Sequence, residues 1–103
     1  MCIPIVNRMC QKMSHEVKFD DIKICDNLIM DGHHRYLSSL IMHVNIGSVA
    51  SQKTSVTKLV SWKDIEFDEN DWDTDSKILH LNEQDARYNG IDIEFLNQIT
   101  SKK

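Results

Sequence analysis

Proline occurs once and glycine three times in the 103 residues. A chain this short of turn-forming residues gives each of them a positional role, so Pro4, Gly32, Gly47 and Gly90 become landmarks. Cysteine is also sparse. Cys2, Cys10 and Cys25 are odd in number and form no CxxC pair, which excludes a disulfide framework and a zinc knuckle and leaves reduced thiols, Cys25 as a core filler. Positive charge is in deficit: the formal net charge of −4 excludes a protein that coats nucleic acid nonspecifically, a task that needs a positive field. A local basic spot stays open. No apolar run approaches the roughly 20 residues of a membrane-spanning helix. The first residues also lack the charged-then-apolar layout of a secretion signal, so the expectation is a soluble, cytoplasmic chain without a membrane partner.

What is present suits one compact domain over residues 1–103, with 41% hydrophobic residues forming one modest core. Pro4 fits the first turn of a helix, in which Val6, Met9, Cys10 and Met13 fall on one face. Val17, Phe19, Ile22 and Ile24 alternate with charged residues, Asp26-Asn27 supplies a turn, and Leu28-Ile29-Met30 comes next as a strand, which predicts a β-hairpin. Gly32 ends that strand. A helix comes after it, with Leu37, Leu40, Ile41 and Val44 on its inner face and Gly47 as its C-terminal stop. Residues 48–57, small and polar, read as a mobile connector. Leu59-Val60-Ser61-Trp62 and Ile65-Glu66-Phe67 read as two short β pieces. Asp73 or Thr74 caps a helix running to Asn89 and closed by Gly90, and Asp92 caps a last helix with Phe95, Leu96 and Ile99 inward. The sum is an α+β domain.

The seam Asp31-Gly32-His33-His34-Arg35 carries the chemistry. A helix N-terminus presents backbone N–H groups without intrahelical partners and a partial positive charge, so its natural ligand is an anion. Gly32 lets a phosphate approach the backbone, and Arg35, one turn in, offers a planar fork of donors. His33 and His34 add donors that become cationic near neutral pH, or a proton acceptor if held neutral. Asp31 can orient an imidazole, hold a phosphate-bound Mg²⁺, or cap the helix. Packing three potentially cationic side chains at the positive end of a helix is locally unfavourable, and such a violation points to a site rather than a plain turn.

Other candidates are weaker. Asp71-x-Asp73-x-Asp75 matches the opening of a calcium loop, but Ser76 stands at the glycine position and Asn82 at the bidentate glutamate position, leaving an acidic loop and helix cap. Asp20 and Asp21 read as solvated surface, with approach to a bound metal as the alternative. Glu66, Glu69 and Glu83-Gln84-Asp85 read as exposed residues. His15, His43 and His80 lack metal-ligand spacing. Trp62 and Trp72 read as core anchors rather than base-stacking platforms.

The run Ile29-Met30-Asp31-Gly32-His33-His34-Arg35-Tyr36-Leu37-Ser38-Ser39-Leu40, preceded by a hairpin, resembles the phosphate-binding motif of the ParB/sulfiredoxin-like superfamily over residues 17–47. In that superfamily a Gly-x-x-Arg or Gly-x-His-Arg turn opens a helix and holds nucleotide phosphates. The resemblance implies a short mixed sheet with a phosphate-binding strand–turn–helix and flanking helices. It also implies phosphate contact by Gly32, His34 and Arg35, and a nucleoside triphosphate with Mg²⁺ as possible cofactors. Sulfinic-acid reduction is not implied, because His33 stands where those enzymes need cysteine. The Glu-Arg-Arg and long DNA-binding helices of the partition proteins are missing too. The spelling is similar to the nuclease-like and kinase-like branches. The expectation is therefore phosphodiester cleavage by Asp31, His33, His34 and Arg35 on a nucleotide or nucleic-acid substrate. On that reading the chain is a bacterial toxin module, delivered to a target cytoplasm and partnered by an immunity or parent protein. A free-serine-type kinase and a non-catalytic nucleotide-sensing or protein-interaction module are the alternatives.

Overall fold

Pro4 stands in the first turn of helix α1 (Ile3–Ser14), where its missing N–H has no intrahelical acceptor to lose. The computed structural model describes residues 1–25, 28–51 and 65–101. In chain order α1 is followed by strands β1 (Ile22–Cys25) and β2 (Leu28–Asp31), helix α2 (His33–Met42), strand β3 (Ser48–Ala50), and helices α3 (Asp75–Asn89) and α4 (Ile93–Thr100). This is an α+β architecture with a three-stranded mixed sheet.

The sheet order is β2-β1-β3, with β1 central, antiparallel to β2 and parallel to β3. The expected hairpin forms, its turn at 26–27 lying outside the described residues. Pairing of Lys23 with Asp31 and of Ile24 with Ile29 leaves Met30 as an extra residue. Such a bulge bends the strand immediately before Asp31-Gly32 and re-aims the chain as it enters α2.

Several sequence expectations change. Helix α2 stops at Met42, with His43 in the left-handed conformation as its C-cap, four residues before Gly47. Gly47 has a different role: the Asp21 carboxylate lies where a Cβ at position 47 would be, and the Gly47 carbonyl accepts from Ile22 N–H at 2.9 Å. Ser48–Ala50 is not connector but β3, because β1 offers a free edge after β2 has taken the other. Ile65-Glu66-Phe67 is not a strand; the pairing in that region is an isolated bridge between Cys2 and Asp68. Residues 52–57 of the proposed connector and the piece 59–62 with Trp62 lie outside the described residues.

Another concerns which side of α2 faces inward. Leu40 and Ile41 are each 53% exposed, whereas Ser38 and Ser39 are buried. Small residues let α2 approach α1 closely, and the Ser38 hydroxyl, donating to the His34 carbonyl at 2.7 Å, satisfies its polarity locally. Trp72 is likewise outside the core at 54% exposure, its indole N–H donating to the Asp68 carboxylate at 2.9 Å. Cys25 is half-buried rather than a core filler.

The core sits where α1 meets α4 and α3. Val17, Ala86 and Leu96 form its centre, with Phe19, Ile93 and Ile99 packed against it. Phe95, expected inward, is half-exposed and meets the His15 ring edge-on. Thr74 caps α3 through Lys77 N–H, Gly90 closes it, and Asp92 caps α4 through Glu94 N–H, as the sequence predicts. Buried Asn82 ties α3 to α4 by donating to Asn97 and Thr100.

Candidate functional site

Gly32 adopts φ +91°, ψ +29° as the residue preceding α2, and no side chain caps the turn. The first helical bond runs from Tyr36 N–H to the Gly32 carbonyl at 2.9 Å, so the Arg35 N–H lies ahead of it. A Cβ at position 32 would stand 2.8 Å from an Arg35 guanidinium nitrogen and 2.8 Å from Ile22 Cγ2. The glycine is therefore required twice over, by its backbone angle and by what packs on it.

Arg35 folds back over this glycine. One of its terminal nitrogens is 3.4 Å from the Asp21 carbonyl and 3.6 Å from the Asp31 carboxylate, both long contacts, and its Nε is buried without a hydrogen-bond partner among the described residues. The Asp31 carboxylate itself is 61% exposed, so it accompanies the guanidinium without enclosing it.

His34 goes the other way. Its Nε2 accepts the Cys2 backbone N–H at 3.1 Å, and its ring meets Trp72 edge-on at a centroid distance of 5.6 Å. Burial holds its pKa below the ordinary histidine value; the positively charged N-terminus and His33 act in the same sense, against a smaller opposing effect of Asp73. The imidazole accepting through Nε2 is neutral, with its proton on Nδ1. His34 therefore does not join Arg35 at the position where the sequence reading places a phosphate. In an α-helix, adjacent residues project about 100° apart, and α1 already occupies the side to which His34 turns. His33, first in the helix, is exposed.

Arg35 opens onto a cleft of about 560 Å³ between α1, the 19–20 segment and α3, and it is the motif residue that lines it. The cleft joins residues the sequence does not connect: Arg8 and Lys12 of α1, Asp20, Asp73, and Arg87 and Tyr88 of α3. Arg8 grips Asp71 through two nitrogens at 2.6 and 2.9 Å and reaches Asp73 at 3.3 Å. Burial opposes its charge, and these two carboxylates outweigh it, raising the Arg8 pKa. Lys12, itself buried, meets Asp85 at 2.6 Å. Asp71 and Asp73 are thus the counter-charge of Arg8, and Asp73 is its partner rather than the helix cap. Arg8 and Lys12, one turn apart, were a visible basic stripe; nothing local tied them to Arg35. Asp20, read as solvated surface, is exposed and lines this cleft.

Among the described residues no three His, Cys, Asp or Glu side chains converge as a metal cage. A Mg²⁺ of the kind the resemblance implies would find a single carboxylate at this turn, Asp31, whose side chain is 61% exposed. No helix among the described residues is long and apolar enough to cross a membrane. No family model, no curated protein and no solved structure matches the chain.

Proposed function

We propose that this chain is a ParB-like phosphate-binding domain that holds a nucleotide or nucleic-acid phosphate at Gly32–Arg35 and cleaves phosphodiester bonds there. The observation that carries the reading is the guanidinium of Arg35, brought to the mouth of a cleft and left with two long contacts and a buried Nε without a hydrogen-bond partner among the described residues. A buried donor without an acceptor is unfavourable, and an anion at this position relieves it. In the cleavage step Arg35 stabilises charge building on the phosphoryl oxygens. His33, exposed at the start of α2, takes the proton of the attacking water as the bond to the leaving oxygen breaks, and Asp31 orients it or would hold a ligand-borne Mg²⁺. The setting would be a cytoplasm, the cell's own or a target cell's.

A second reading, binding without turnover, is favoured by His34, whose acceptor nitrogen is already engaged by Cys2. A melting-temperature panel of nucleotides with and without Mg²⁺ tests the binding, since a ligand selective for the folded form raises the melting point. Degradation of single-stranded and duplex nucleic acid by the wild type, lost in Arg35→Ala and His33→Ala, supports cleavage. Consumption of a nucleoside triphosphate supports a kinase instead, and stabilisation with no turnover supports the sensor. A panel with no phosphate-bearing ligand that stabilises the chain removes the whole reading.

A further inference from the structure

The charge in the cleft limits what it can hold. Of the four cationic side chains that line it, Arg8 is engaged by Asp71 and Asp73 and Lys12 by Asp85. Arg87 is in no ion pair among the described residues, and Arg35 has there, as an ion pair, the long contact with Asp31. Asp20, a carboxylate in no ion pair among the described residues, faces the same space. Two available cations and one available carboxylate leave a net charge of +1, which neutralises a singly charged phosphate and half of a doubly charged one. A triphosphate, with about four charges near neutral pH, would be under-neutralised and repelled by Asp20.

Apolar side chains share the lining. Phe19, Leu81 and Tyr88 line the cleft, and Tyr88 is 62% exposed, a large aromatic ring available on the surface beside Arg87. A planar group stacks on such a ring whatever its hydrogen-bonding pattern. The volume of about 560 Å³ suits a drug-sized ligand rather than an inorganic ion.

From these observations, and resting on the phosphate-binding reading above, we infer that the cleft takes a single nucleoside monophosphate unit, with its phosphate on Arg35 and Arg87 and its base against Tyr88. The same unit is found in a free mononucleotide and in a single-stranded nucleic acid. Asp20 is the residue that selects against additional phosphates.

Titration calorimetry on the full chain, in EDTA and again with Mg²⁺, would compare inorganic phosphate, a nucleoside, the four nucleoside monophosphates, a dinucleoside monophosphate and ATP. The expected result is a monophosphate bound about tenfold more tightly than inorganic phosphate, as one stacked base allows, and more tightly than ATP. Tyr88→Ala, at an exposed position, should abolish the advantage over inorganic phosphate while leaving phosphate binding unchanged. Asp20→Asn should improve ATP binding several-fold and monophosphate binding by a smaller factor. Tighter binding of the dinucleoside monophosphate than of the mononucleotide identifies a strand as the source, and the reverse a free nucleotide. ATP preferred over the monophosphates, or phosphate as tight as they are, overturns this inference and leaves the phosphate site standing. Failure of every phosphate-bearing ligand overturns both.

Discussion

The Nε2 of His34 accepts the backbone N–H of Cys2 at 3.1 Å, joining residues 32 positions apart where α2 meets the start of α1. This bond exists only for the neutral imidazole. Burial and the neighbouring positive charges hold the His34 pKa below its ordinary 6.5, so protonation favours the unfolded chain, in which the ring ionises more readily.

Stability should therefore be fully present above about pH 6.5 and decline as the pH falls from there through the depressed folded value. Melting curves between pH 8 and pH 5 check this. His34→Gln, which cannot titrate, should be less stable at pH 8 and should lose part of the slope. An unchanged slope would remove His34 as its source.

Gly32→Ala should cost more than Gly90→Ala. Both glycines have positive φ, worth about 1–2 kcal/mol against a side chain. At Gly90 a Cβ meets nothing within 4 Å, whereas at Gly32 it meets Ile22 and the Arg35 guanidinium at 2.8 Å. Urea unfolding of the two variants measures the difference, and phosphate binding should be lost only in Gly32→Ala.

His43→Gly should stabilise the protein by about 1 kcal/mol, because a non-glycine residue at φ +55° gives way to the residue that suits a helix C-cap. If α2 instead ran on to Gly47, position 43 would lie inside the helix and the same change would destabilise it by about 1 kcal/mol. The sign of the shift in urea midpoint decides between these two helix ends.

Arg8→Met should destabilise by about 3 kcal/mol, since it removes the guanidinium that Asp71 and Asp73, both mostly buried, share. Adding Asp71→Asn and Asp73→Asn should recover a large part of the loss. Denaturant unfolding of the single and triple variants gives the coupling, and strictly additive losses would show that the three side chains act independently.

Ser38→Leu should cost about 1–3 kcal/mol by overfilling the contact between α1 and α2, while Leu40→Ser, on the exposed side, should cost little. The opposite order of melting temperatures would restore the inner face that the sequence pattern suggests.

Local rules made much of this protein legible before any coordinates. Pro4 starts a helix, Thr74 and Asp92 cap two more, Gly90 closes one, and the Asp31-Gly32 seam ends a strand and opens a helix. Each of these depends on a backbone donor, acceptor or dihedral angle within a few residues, so the sequence by itself determined them. Which face of α2 points inward, where that helix ends, and what becomes of Ser48–Ala50 were decided by tertiary packing, because Ser38 allows a close approach to α1 and β1 had an edge to fill. The division of the His-Arg motif belongs there too. His34 and Arg35 are neighbours in the chain, yet only the arrangement of α1 and α3 around them sends one to Cys2 and the other into a cleft with Arg87 and Tyr88.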